Sequence, residues 1–100
     1  MRRVIIGRRA RAEFQRSVAY YNRKVPELGE DFCEKVFDLF DQIAARPESF
    51  RSISNKIHRA VMAKFPFVVH FSIKADRIDI LSVFHPSRNP ESLRRRGIWE

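Results

Sequence analysis

The sequence predicts an α+β domain in the order β-α-α-β-β-β, with a helix hairpin packed on one face of a mainly antiparallel sheet and a short C-terminal helix. Three observations lead there. Apolar residues recur at helical spacing through the first half, and they alternate at strand spacing in the second half. The chain has 100 residues, 44% of them hydrophobic, enough for one modest core and not two. Residues 1–100 therefore read as a single domain.

Arg3–Ile6 contains the β-favouring run Val4, Ile5 and Ile6, is closed by Gly7, and reads as the first strand. From Arg8 onward, Ala10, Phe14, Val18 and Tyr21 recur at spacings of four, four and three, which places them on one face of a helix. Val25-Pro26 interrupts that helix, because proline disfavours helical geometry at the residue before it and suits the first turn of a new helix. The second helix carries the stripe Leu28, Phe32, Val36, Leu39 and Ile43, widened by Phe40. Gly29 weakens its start, and Pro47 bars continuation past Arg46. Two such helices cannot satisfy both apolar stripes against each other, so they need a sheet to cover.

The C-terminal half supplies it. Residues 49–56 read as a polar connection, residues 57–65 as a strand, and Pro66 as a turn. Phe67, Val69, Phe71 and Ile73 then alternate with Val68, His70, Ser72 and Lys74, the clearest strand in the chain. Ala75-Asp76 makes a short turn, and Arg77–Phe84 returns apolar on both faces, as expected of the central strand. A two-residue turn pairs Ile73 with Ile78, Phe71 with Ile80 and Phe67 with Phe84 on the face that meets the helices. The other face then carries Val68, His70, Ser72, Asp79, Leu81, Val83 and His85, and is expected to be open to a partner. Pro86 ends the strand, and residues 90–96, capped by Ser87 or Asn89, read as the terminal helix ending at Gly97.

The composition narrows the function classes. No apolar run approaches the ~18 residues that span a bilayer, and the N-terminal Val4-Ile5-Ile6 is too short for a signal-peptide core, so no membrane is expected. Cys33 is the only cysteine, which rules out an internal disulfide, fits a reducing compartment, and makes the cytoplasm the expected location. Twenty Lys and Arg against twelve Asp and Glu leave a net charge of +8. That surplus attracts nucleic acid or an acidic protein, and its bland reading is a solvated basic surface.

The stretch RAVMAKFPFVVHFSIKADRIDILSVFHPSRNPESLRRR, residues 59–96, is more specific. An Arg-bearing strand, FPF before an apolar strand, a charged turn and a V-x-H-x-x-R-[DN]-P ending resemble the RelE/ParE toxin superfamily, ParE-type members above all. Here that ending is Val83, His85, Arg88, Asn89 and Pro90. The resemblance implies the toxin of a type II toxin-antitoxin, or plasmid-stabilisation, module. Its expected partner is a cognate antitoxin, acidic and partly disordered, that folds onto the toxin. The superfamily divides into ribosome-dependent mRNA endonucleases of the RelE type and ParE-type proteins, some of which poison DNA gyrase, so gyrase and the ribosome are the two expected targets. RelE-like nucleases resemble a basic cluster plus a tyrosine near the C-terminus. This chain departs from them, because its only tyrosines are Tyr20 and Tyr21 in the first helix and Phe67 stands where such nucleases tend to carry a strand arginine. The resemblance therefore points to a gyrase inhibitor more than to an enzyme; a RelE-like ribosome-dependent mRNA endonuclease and a non-toxic basic nucleic-acid-binding module are the alternatives.

The candidate target-binding residues are Arg59, His70, His85, Arg88, Arg94, Arg95, Arg96 and Trp99. His85 and Arg88 follow a strand end, where they can contact phosphate or a protein target, or equally a backbone carbonyl and an acidic neighbour. His70 lies on the face expected to be open, although a lone strand histidine is more often structural. Arg59 begins a strand and joins His85 and Arg88 on a basic rim, or else is an edge charge that discourages aggregation. Arg94, Arg95 and Arg96 suit either a target or the negative pole of a helix end, and Trp99 suits an interface or a frayed tail. Cys33 falls among apolar neighbours and reads as packing. No cofactor is expected, and no metal either, since His70 and His85 fall roughly 13 Å apart at strand rise.

Overall fold

The computed structural model describes residues 2–85. The elements run β1 (Arg3–Ile6), α1 (Arg8–Lys24), α2 (Leu28–Ala45), a 3-10 turn (Pro47–Ser49), β2 (Arg51–Ser54), β3 (Ile57–Val61), β4 (Val68–Ile73) and β5 (Arg77–Phe84). The five strands form one sheet in the order β1-β5-β4-β3-β2, with β1 parallel to β5 and all other pairs antiparallel. The α+β class and the helix hairpin on one face stand as expected. The terminal helix expected over residues 90–96 lies outside the described residues.

One strand more is present than the expected order contains. β2 forms within the segment read as a polar connection, paired to β3 through Arg51 with Arg59 and Ser52 with His58. β2 is an edge strand, and an edge tolerates serine and arginine because backbone pairing with one neighbour suffices. The strand read over residues 57–65 is correspondingly shorter and stops at Val61. β4, not β5, holds the middle of the sheet; β5 is interior, enclosed by β1 and β4.

The helices cover one face. Ala10 of α1 and Phe32, Val36, Leu39, Phe40 and Ile43 of α2 pack with Val69, Phe71, Ile78, Ile80 and Val83 of the sheet, almost wholly withdrawn from solvent. Phe32 lies within 4.8 Å of Phe67 and 5.2 Å of Phe65, ring centre to ring centre, so an aromatic cluster closes this layer at the hairpin end. The hairpin itself is locked by Asn22, whose Oδ1 accepts the Gly29 N–H at 2.8 Å. A side chain at Gly29 would collide with that amide, so the glycine that weakens the helix start makes room for the lock. Glu27 makes the turn between the helices at φ 72°, in the left-handed region.

The β4–β5 register starts as the two-residue turn dictates, with Ile73 opposite Ile78 and Phe71 opposite Ile80. It then shifts at a bulge between His70 and Phe71, so His70 faces Ser82, Val69 faces Val83 and Val68 faces Phe84. Leu81 is the additional residue. The shift moves Val83 to the helix-covered face and Phe84 to the far one, reversing the expected places of both. Among the described residues no helix is long and apolar enough to cross a membrane.

Candidate functional site

The far face of the sheet brings several of the candidate residues together. Arg59 of β3 pairs across with His70 of β4 on one side and Arg51 of β2 on the other, and His70 pairs with Ser82 of β5. Their side chains share one face because directly opposed residues point the same way. Val61, on the same side of β3 two residues beyond Arg59, is 61% exposed. The face thus offers two arginines and an apolar side chain at its β2–β3 end.

The centre of this face is not open, contrary to the expectation. His70 and Ser82 are fully buried and Val68 and Phe84 nearly so, with Ile53 and Ile57 packed against them in a second, smaller cluster. The His70 ring stacks on Phe84 at 5.0 Å and 10°, and its Nδ1 is 3.1 Å from Ser82 Oγ. Such packing withdraws His70 from solvent within the far-face cluster. The accessible part of the face is its β2–β3 margin.

There, the arginines carry an electrostatic cost. Arg51 and Arg59 are directly opposite each other, an arrangement that destabilises a strand pair when the charges have one sign. Arg59 Nε is buried and makes no hydrogen bond. A buried donor left unpaired costs about 1–3 kcal/mol.

His85 does not join this cluster. It turns to the helix side, where its ring meets Phe67 edge-on at 5.4 Å. The bulge is the cause: with Val83 on the helix face, His85 two residues later is carried there too. Arg59 and His85 therefore lie on opposite faces, and the rim expected to unite them does not form between these two. Nor is Arg59 an edge charge, since β3 has a strand on each side. Arg88, Arg94, Arg95, Arg96 and Trp99 lie outside the described residues.

One important residue escaped the reading of the sequence. Glu13 of α1 is buried, 6% exposed, and its Oε1 accepts the Val83 N–H at 3.0 Å. β1 accompanies β5 only as far as Ile6 opposite Ile80, and there the Gly7 N–H donates to the Ile80 carbonyl at 3.0 Å as the chain turns away. A Cβ at Gly7 would sit 3.0 Å from the same carbonyl, so glycine permits the close approach. Past that point β5 has no strand on its β1 side, and the Glu13 carboxylate takes the place of a strand carbonyl. The signal was a charged residue inside the inward-facing stripe, between Ala10 and Phe14.

With this geometry in view, the comparisons with known proteins decide the family. Residues 4–90 match the family described as the ParE toxin of type II toxin-antitoxin system, parDE. The chain belongs to the ParE toxin family. A solved structure of the chromosomal ParDE TA system from P. aeruginosa shares the fold, with a TM-score of 0.68 and 17% identity over 85% of this chain and 96% of that one. No curated protein matches the sequence.

For a ParE-type toxin, the placement of the aromatics is informative. Tyr21 is part of the core layer, 5.3 Å from Phe32 and 5.0 Å from Phe65, and Tyr20 meets Tyr21 edge-on with Lys24 over its ring. Phe67, at the position where a RelE-like nuclease tends to have an arginine, is 1% exposed and packs against Phe32. Burial pushes the Cys33 thiol up, helped by the nearby Glu30 carboxylate, so at neutral pH it stays a protonated packing group.

Proposed function

We propose that this ParE-type toxin arrests growth by poisoning DNA gyrase, acts in the cytoplasm, and is neutralised by a cognate antitoxin whose acidic, partly disordered segment folds onto it. The observation that carries the reading is the ParE family match over residues 4–90. The family implies an antitoxin partner, and a net charge of +8 suits an acidic one. Coupled folding of a disordered segment also fits the β2–β3 margin, where an acidic group would offset the opposed charges of Arg51 and Arg59.

Inhibition without RNA cleavage fits the side chains. Cleavage by the substrate's own 2′-hydroxyl needs a base, an acid for the leaving oxygen and cations on the phosphorane. Both tyrosines belong to α1. His58 lies flat on Phe71 at 5.3 Å, and His70 is fully buried against Phe84. These groups support packing rather than proton transfer to a large substrate. The target contacts in this reading are Arg59 at the β2–β3 margin, His85, and the basic segment Arg88, Arg94, Arg95 and Arg96 with Trp99.

The test is induced expression in a bacterium, with and without the neighbouring gene, scoring growth, chromosomal DNA breaks and bulk mRNA. Arrest with DNA breaks and intact mRNA, relieved by the neighbour, is expected. Rapid loss of mRNA would replace gyrase by the ribosome as the target, and growth without arrest would contradict the toxin reading.

A further inference from the structure

The outer surface of the helix hairpin has an unusual division of charge. On α1 the basic residues Arg8, Arg9, Arg11, Arg16, Arg23 and Lys24 are all exposed, while its one acidic residue, Glu13, is buried and already engaged. On α2 the exposed charges are acidic: Glu30, Glu34, Asp38 and Asp41. None of these exposed groups forms an ion pair with another described residue; the ion pairs present involve Asp31 with Lys35 and Lys64, Arg2 with Glu48, and Arg77 with its neighbours. A basic helix therefore lies beside an acidic one, with both charge sets unused.

Between them sits a large exposed apolar group. Phe37 is 47% exposed and meets Phe14 of α1 edge-on at 5.7 Å, so it lies over the seam of the hairpin. Glu30, Glu34, Phe37 and Asp41 follow one another at spacings of four, three and four, a single stripe along α2.

We propose that this face is a self-association surface, on which a second copy of the chain docks about a two-fold axis running along the seam between α1 and α2. That axis lays the basic helix of each copy over the acidic helix of the other and brings the two Phe37 side chains together on the axis. An axis across the helices would instead set like charge on like. The heights agree as well. With Phe14 level with Phe37 in the antiparallel hairpin, Arg16 falls within one residue of the level of Glu34, Arg23 within two residues of that of Glu30, and Arg9 and Arg11 bracket Asp41, offsets of at most about 3 Å at a rise of about 1.5 Å per residue. Each copy thus presents cations to carboxylates at three levels of the interface.

The charge division favours a second copy over a nucleic acid. A duplex seated on α1 would overlie α2, whose axis is roughly 8–10 Å away, and would meet its carboxylates. The hairpin face is roughly 25 Å by 20 Å, about 500 Å² per copy, at the small end of specific interfaces. The dimer is therefore weak and sensitive to salt. The net charge of +8 opposes it at long range, but screening over about 8 Å at physiological ionic strength leaves the contact pairs dominant.

Sedimentation equilibrium of the full chain tests the proposal, with circular dichroism to verify folding of each variant. The expected mass is twice 11.9 kDa at high protein concentration, falling toward the monomer in about 0.5 M salt. Arg16→Glu is expected to weaken association at least ~10-fold, and Arg16→Glu combined with Glu34→Arg to restore it, because the swapped charges meet across the axis. Phe37→Ser, at an exposed position, is expected to abolish the dimer and leave the fold intact. A chain that stays monomeric to about 1 mM, which is a very weak limit for a specific contact, would overturn the proposal. So would a dimer indifferent to all three substitutions, or a monomer that binds duplex DNA through Arg16.

Discussion

The two faces of the sheet differ in what their side chains are for. On the helix side, Phe32, Phe67, Phe71, Ile43, Ile78 and Ile80 form a mainly apolar layer between sheet and hairpin, with the buried Glu13 carboxylate accepting the Val83 N–H. On the far side, a small cluster of Val68, Phe84, Ile53 and Ile57 surrounds the His70–Ser82 pair and gives way at the β2–β3 margin to Arg51, Arg59 and exposed Val61. Hydrophobic burial scales with area, so the first face dominates stability. The second keeps opposed like charges and a buried unpaired donor, features that reduce stability. The division is between a layer that folds the chain and a margin that keeps two arginines and an exposed apolar side chain.

Substitutions on the two sides sharpen that contrast. Phe32→Ala removes the ring at the centre of the aromatic cluster and is expected to destabilise by about 3–5 kcal/mol, a large share of a small domain's stability, measurable by urea denaturation. Glu13→Ala leaves the Val83 N–H buried without its acceptor and should cost about 1–3 kcal/mol, while Glu13→Gln, which keeps an acceptor oxygen, should cost less. If the two variants melt alike, Glu13 is not standing in for a strand.

A smaller effect concerns the surface ion group. The hydrogen bond from Lys64 holds the Asp31 carboxyl below its ordinary value of 3.8, with Lys35 adding to it. A lowered carboxyl contributes stability above the unfolded value and loses it as pH falls through the folded one. Asp31→Asn is therefore expected to lower the melting temperature slightly at neutral pH, with the difference vanishing in acid, below the folded value. The smallest expected change is Glu27→Gly, which relieves the left-handed turn but adds freedom to the unfolded chain; the two should nearly cancel, within about 1 kcal/mol.

Much of the fold was legible because it rests on periodicity. The two helices and β4 follow from apolar spacing, Arg3–Ile6 and Arg77–Phe84 from β-favouring apolar runs, and the break between the helices from the proline at position 26. β2 was not legible, since Arg51, Ser52 and Ser54 bury little and pair through their backbone. The bulge at Leu81 was hidden for a different reason: β5 is apolar on both faces, so a one-residue slip changes no hydrophobic pattern. That slip moved Val83 and His85 to the helix side and brought Phe84 onto His70 in the middle of the face expected to be open. Of the candidate residues, Arg59 remains at an accessible margin, and His70 proved to be core. No local pattern encodes which residue lies across the sheet from it.

The division between the two faces is tested most directly by pairing toxicity with stability for Arg59→Ala. Induced expression of the variant should relieve growth arrest, while its melting temperature does not fall, because the change removes an opposed like charge and a buried unpaired donor. Full toxicity in a chain that melts unchanged would contradict a contact role for the β2–β3 margin, and relief accompanied by a large loss of stability would place Arg59 in the fold instead.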